Sequence, residues 1–262
     1  AIDKFAIAGF KLMRAAGSVT FDALQERWPQ LKHIVVFVGS GNNGGDGYII
    51  AGLAKQQGLN VELVQVGDGA KLAGDARLAF DWAEQVKVPM VSWKDYLNAE
   101  TGPYPEQQTV LVDALLGTGL SGPVQGPYVA AIDLLNNLDH PVVAVDIPSG
   151  LCSDTGKVLG TAVKAELTVT FIGMKQGLLT HLGCGLSGDI IYHDLDVPEE
   201  VFAADNGISP SSRRIDINDV SSRFPPRSLS SHKGDHGHVV VVGGDHACGG
   251  AVLMAAEAAL RA

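Results

Sequence analysis

Short, nearly continuous apolar runs recur along the chain at residues 34–38, 61–66, 110–115, 142–146 and 167–172. They are rich in valine and isoleucine and lack an alternating polar position, the pattern of strands buried on both faces of a parallel sheet. Between them, residues 48–57, 73–85 and 129–136 carry apolar side chains at helical spacing. Ahead of the first strand, Phe5, Ile7, Ala8, Leu12 and Met13 fit an amphipathic helix over residues 1–17. Strand and helix in alternation predict an α/β fold: a doubly wound, mostly parallel sheet with helices on both faces, a three-layer sandwich.

Folds of this kind bind ligands beyond the carboxyl ends of their strands. Three of the predicted strands end in polar, glycine-bearing segments. The first runs into Gly39-Ser40-Gly41-Asn42-Asn43-Gly44-Gly45-Asp46-Gly47, expected as a loop ahead of a helix from Tyr48. The others end in Asp113-Ala114-Leu115-Leu116-Gly117-Thr118-Gly119 and in Asp146-Ile147-Pro148-Ser149-Gly150. Glycines allow close backbone approach, and free N–H groups at a helix start attract phosphate. Together the three segments predict a site for a polar, phosphate-bearing small molecule.

Residues 205–227, rich in Ser, Pro, Arg and Asp, read as a linker. Beyond them residues 238–242 read as a strand, 243–250 as a glycine-rich turn and 251–262 as a helix. One strand and one helix cannot bury a core of their own. This tail is expected to dock on the first domain or to open a further one.

Charge and cysteine content narrow the partners. The chain has 262 residues, 46% hydrophobic and 18% charged, with a formal net charge of -10. An acidic balance argues against nucleic acid and anionic membranes, which require a basic face. No apolar run reaches the roughly 18–20 residues of a membrane span. Lys4, Lys11 and Arg14 break up the opening segment, so it does not read as a signal peptide. The missing initiating Met implies a processed or incomplete N-terminus. Cys152, Cys184 and Cys248 are widely spaced and read as reduced thiols of a cytoplasmic protein.

The chemistry at the strand ends admits several readings. Gly39 to Gly44 fits the dinucleotide pattern GxGxxG, with Asp68 downstream as the acidic partner, which would suggest a dehydrogenase on a Rossmann-like sheet. Asp46, expected in the first turn of the following helix, would repel a pyrophosphate docked there. A turn capped by Asp46 is the bland alternative. Asp113 and Asp146 become candidates for acid–base work or cation binding only if they share a face. Asn43, Asp113 and Ser149 would supply the amide, carboxylate and hydroxyl oxygens of a cage for a hard, undemanding cation. Ser149 lies outside any GxSxG elbow, so a nucleophilic role is not expected. His232, His236, His238 and His246, with Asp235 and Asp245, match no closed zinc spacing and read as a polar connection.

The three strand-end motifs, in this order, resemble those of the NAD(P)H-hydrate epimerase domain. Leu12-Met13-Arg14-Ala15-Ala16-Gly17 and Lys175-Gln176-Gly177-Leu178 are similar to further parts of its pattern, over about residues 5–203. The resemblance implies a domain over residues 1–204 that interconverts the R and S forms of hydrated NADH and NADPH. It implies that Asn42, Asn43, Gly44, Gly45 and Asp46 contact the hydrate. It gives Gly117, Thr118, Gly119, Leu120, Ser121, Gly122 and Pro123 the phosphates, and Asp146 the damaged ring as catalytic acid–base. A potassium ion would sit on Asn43, Asp113 and Ser149. After a linker at 205–230, residues 231–262 resemble the opening of the ADP-dependent NAD(P)H-hydrate dehydratase domain, a ribokinase-like fold. ADP or ATP would serve only that domain, and no dehydratase activity is expected of this polypeptide. Association into a homo-oligomer is expected, and a non-catalytic nucleotide-binding module is the alternative from another class.

Overall fold

The computed structural model describes residues 7–99, 104, 108–202, 209–221, 228–232, 234–235, 237–244 and 249–261. The chain separates into two units, Ala1–Pro210 and Ser211–Ala262.

The first unit holds a seven-stranded sheet of β1 (His33–Val38), β2 (Asn60–Gln65), β3 (Met90–Ser92), β4 (Thr109–Ala114), β5 (Val142–Val145), β6 (Leu167–Phe171) and β7 (Asp189–His193). Every pairing between them is parallel, in the order β3-β2-β1-β4-β5-β6-β7. The five runs read from sequence are strands with ends moved by one residue, the usual uncertainty of a frayed end. Sequence reading missed β3 and β7. β3 has only three residues, and β7 at the sheet edge leaves Ile191 and Tyr192 exposed, so neither carries a continuous apolar run.

Alternate strand positions feed two cores. Ile34, Val36 and Val38 pack with Met13, Phe21 and Leu24 of α1 (Gly9–Arg27), with Ile49 and Ile50 of α2 (Asn42–Gln56), and with Ala76 and Ala79 of α3 (Gly74–Gln85). Val35 and Phe37 face the other way, toward Tyr96 of α4 (Trp93–Asn98) and Ala131, Ile132 and Leu135 of α5 (Pro127–Asn137). Strand periodicity of two thus makes three layers from one sheet.

Two helices depart from the sequence reading. α1 continues well past Gly17, because Gly17 lies against Ile49 and the Thr20 hydroxyl bonds the Ala16 carbonyl at 2.8 Å. α2 begins at Asn42 rather than Tyr48, so the expected glycine-rich loop is the helix's own opening turns.

In the second unit α7 (Ile217–Ser221) lies within the stretch read as a linker, and α8 (Gly250–Arg261) is the expected terminal helix. Between these two helices, α6 (Gly183–Leu186) having preceded them in the first unit, the expected strand at 238–242 does not form. Val239, Val240 and Val242 are exposed, and a β-run without a paired neighbour has no ladder to hold it.

Candidate active site

β1 and β4 are neighbours at the point where the connections of the sheet turn to opposite sides. In register, Val38 of β1 stands beside Ala114 of β4, and the Gly39 amide continues the ladder onto the Ala114 carbonyl at 3.0 Å. The Gly39 backbone then passes so close to Leu115 that a Cβ on it would stand 1.9 Å from the Leu115 carbonyl oxygen. β5 lies on the far side of β4, so the segments after β1, β4 and β5 emerge along one sheet edge.

A cleft of about 670 Å³ opens there, within the range of small-molecule sites. Of the residues expected to bind ligand, Asn42, Asn43, Asp46, Gly117, Thr118, Gly119, Leu120, Ser121 and Asp146 line it. Gly44, Gly45, Gly122 and Pro123 are not among the lining residues. Gly44 packs on the Gly39 carbonyl and Gly45 on Met13 and Ala76, so both serve helix packing. Ser40, Gly41, Leu115, Leu116 and Tyr128 also line the cleft. Tyr128 sits just inside the α5 start, after Gly126 at φ +64 and Pro127 at the first helical position; nothing in its local sequence marked it.

Asp113 lies beneath the floor, fully buried as the penultimate residue of β4. Its Oδ1 accepts from the Ser149 hydroxyl at 2.6 Å and the Leu115 amide at 3.2 Å, and its Oδ2 from the Ser149 amide at 2.8 Å. Burial pushes the carboxyl up to about 6 against these bonds, which pull the other way. Ser149 also accepts from the Leu116 amide at 2.8 Å, tying the segments after β4 and β5 together. Asn43 is 7% exposed, and neither its amide oxygen nor its amide nitrogen has a hydrogen-bond partner. It abuts Gly117, where a Cβ would stand 3.3 Å from the Asn43 Cβ. A buried amide left without partners calls for a ligand.

The two cleft acids differ. Asp46 projects from the second turn of α2, not the first, and neither caps that helix nor accepts a bond at its start. Burial, then the neighbouring charge of Asp146, hold its carboxyl well above the usual range, offset in part by Lys175. Asp146 has φ +66, a left-handed conformation that aspartate tolerates better than most residues. Its Oδ1 accepts from the Thr170 hydroxyl at 3.2 Å, the Phe171 amide at 3.3 Å and the Lys175 ammonium. Lys175 stands 29 residues along the chain from Asp146, and its sequence context held no sign of the pairing.

Asp68, the acid expected of a dehydrogenase, is exposed and accepts from the Ala70 amide at 3.0 Å, opening a short helical turn. It does not line the cleft. Among the tail residues, His236, His246 and Asp245 lie outside the described set, as does Cys248. His232 Nδ1 stands 3.4 Å from Asp235. Among the described residues no three His, Cys, Asp or Glu side chains converge as a metal site, and no helix is long and apolar enough to cross a membrane.

Sheet order and site together define a Rossmann-like α/β protein with an acid-bearing small-molecule cleft at its switch point. The family model "YjeF-related protein N-terminus" matches residues 9–177, and the chain belongs to that family. It is 42% identical over 97% of its length to the bifunctional NAD(P)H-hydrate repair enzyme Nnr of Coxiella burnetii, covering 50% of that protein. It is 37% identical over its whole length to the Escherichia coli enzyme of the same name, covering 49% of it. The chain therefore spans about half the length of these curated relatives. Among solved structures, yeast ynu0 (YNL200c) superimposes with a TM-score of 0.60 at 23% identity, over 78% of this chain and 86% of the yeast one, a likeness of fold.

Proposed function

We propose that residues 1–204 form an NAD(P)H-hydrate epimerase, which interconverts the R and S forms of hydrated NADH and NADPH. The observation that carries this reading is the pairing of Asp46 and Asp146 in one cleft beside the Gly117 loop, in a chain whose relatives are named for NAD(P)H-hydrate repair. The hydrated carbon bears both a hydroxyl and the ring nitrogen, a hemiaminal. Inversion protonates the hydroxyl and breaks the C–O bond, its electron pair leaving with water. The nitrogen lone pair closes a C=N bond. Water then adds to the opposite face and loses one proton, so atoms and electrons balance without a redox partner. A carboxyl that gives and retakes that proton suffices, and Asp146 is assigned this role. Asn42, Asn43 and Asp46 contact the hydrate, and the segment from Gly117 to Pro123 encloses the phosphates.

Asn43, Asp113 and Ser149 are assigned to a potassium ion. The partnerless Asn43 oxygen and the spare lone pairs of the Asp113 carboxylate and Ser149 hydroxyl are donors such a cation accepts. The ion would neutralise charge and order the floor. Residues 231–262 are assigned to the opening of an ADP-dependent dehydratase region, the intervening residues 205–230 to a linker. A cytoplasmic location and self-association complete the reading.

Incubating the chain with one purified epimer, with and without potassium, should yield the other epimer on chromatography, faster with the ion. Asp146→Asn should abolish this while hydrate affinity stays within several-fold. Normal turnover by that variant would remove Asp146 from the chemistry. Binding with no change in epimer ratio would favour a nucleotide-binding module, and a change in nicotinamide absorbance a dehydrogenase.

A further inference from the structure

Asp146 offers two oxygens, and the protein treats them differently. Three donors converge on Oδ1: the Lys175 ammonium, the Thr170 hydroxyl and the Phe171 amide. Oδ2 has no donor among the described residues. We propose that Lys175 is a positioning residue, holding Asp146 by Oδ1 so that Oδ2 alone exchanges a proton with the hydroxyl of the ligand; this rests on the epimerase reading above.

The backbone is bent to bring this lysine in. Ile172, just past β6, has φ +64, a left-handed conformation that a β-branched residue rarely adopts. Its amide is pinned to the His193 carbonyl at 2.9 Å and its carbonyl accepts the Tyr192 hydroxyl at 2.8 Å. The chain doubles back, with the Gly173 amide on the Phe171 carbonyl at 2.6 Å, and Lys175 Nζ returns to that same carbonyl at 2.8 Å. Strain of this kind persists only where the surroundings over-determine it. On the other side, the Asp146 amide bonds the Val169 carbonyl at 2.7 Å, drawing the acid against β6. Lysine and aspartate thus meet because two independent turns deliver them to one point.

The Lys175 and Asp146 side chains are only 15% and 18% exposed, so their attraction is screened far less than that of a surface pair. Half-buried ion pairs are poor sources of stability, since desolvation offsets the Coulomb gain. Geometry is the better explanation for this one. The ammonium holds the Asp146 carboxylate by one oxygen and leaves the other open toward the ligand. Among the described residues Asp46, the other acid of the cleft, has no ion-pair partner, and Lys175 acts on it only through its charge.

The test uses the full chain and follows one epimer into the other. Lys175→Met should lower kcat about 100-fold, the scale of one acid–base contribution, with KM within about threefold. Propylammonium in the buffer should restore part of the rate of Lys175→Ala, which leaves room for the amine, and leave the wild type unchanged, an effect that a packing defect would not show. Lys175→Met with wild-type kcat, or with a loss confined to KM, would overturn the proposal, as would a Lys175→Ala kcat loss that propylammonium leaves untouched. Should that variant not fold, Thr170→Val removes the other side-chain donor to Oδ1. It should lower kcat about tenfold at constant KM, and wild-type kcat there also overturns the proposal. Failure of the epimerase reading would show in the wild type, failure of the positioning role only in the variants.

Discussion

Asp46 carries the clearest conflict between folding and use. A carboxyl raised above its ordinary value binds more protons in the folded chain than in the unfolded one, so stability falls as pH climbs between the two values. That loss begins near the ordinary carboxylate range and is complete above the raised value. The charges of Asp146 and Lys175 act on Asp46, the first raising it and the second lowering it, with burial the largest influence. Asp46→Asn has no proton to lose. Its melting temperature should exceed that of the wild type at pH 8 and match it near pH 4, as scanning calorimetry at the two values would read. An Asp46→Asn variant no more stable than the wild type at pH 8 would contradict the burial argument. The residue types at the strand ends were readable from sequence; which acid would stand paired was not. Asp46 and Asp146 are the same side chain, and only the fold places an ammonium beside one of them.

Among the elements, the opening of α2 shows how packing overrides propensity. Asn-Asn-Gly-Gly-Asp-Gly is a poor helix former, each interior glycine costing about 1 kcal/mol relative to alanine. The helix starts there nonetheless, because bare backbone lets it lie directly on the sheet: Gly44 over the Gly39 carbonyl, Gly47 over Val38 and Ala114. Gly44→Ala sets two effects against each other. Propensity favours alanine by about 1 kcal/mol, yet its Cβ would stand 2.1 Å from the Gly39 carbonyl oxygen, a backbone atom that cannot rotate away. Overpacking of this sort costs about 1–3 kcal/mol, and the clash wins. Thermal denaturation should show a melting temperature lower by several degrees, with epimerisation reduced as Asn43 and Asp46 shift. An unchanged melting temperature would mean that helix and strand are less tightly apposed than they stand here. The edge strands β3 and β7 were illegible for the opposite reason: their neighbours cover too little of them to demand an apolar run.

At the scale of the molecule, the buried apolar residues among those described run from Met13 to Val201, all within the first unit. In the second unit neither α7 nor α8 has a buried residue. A chain ending at Pro210 should therefore melt within a few degrees of the full chain and epimerise at the same rate. A loss of cooperative melting would show that residues 211–262 hold the first unit together.

The five central strands with the helices between them, the doubly wound class and the three polar strand ends were determined by the sequence, because burial on two faces writes itself as unbroken apolar runs and ligand loops must interrupt them. Tertiary structure alone decided that β1, β4 and β5 lie side by side and that Asp113 sinks under the cleft floor on Ser149. It also decided that a lysine beyond β6 reaches Asp146. Those contacts join residues 29 and 36 positions apart. No local periodicity encodes such a meeting; it follows from sheet order and from a strained turn at Ile172.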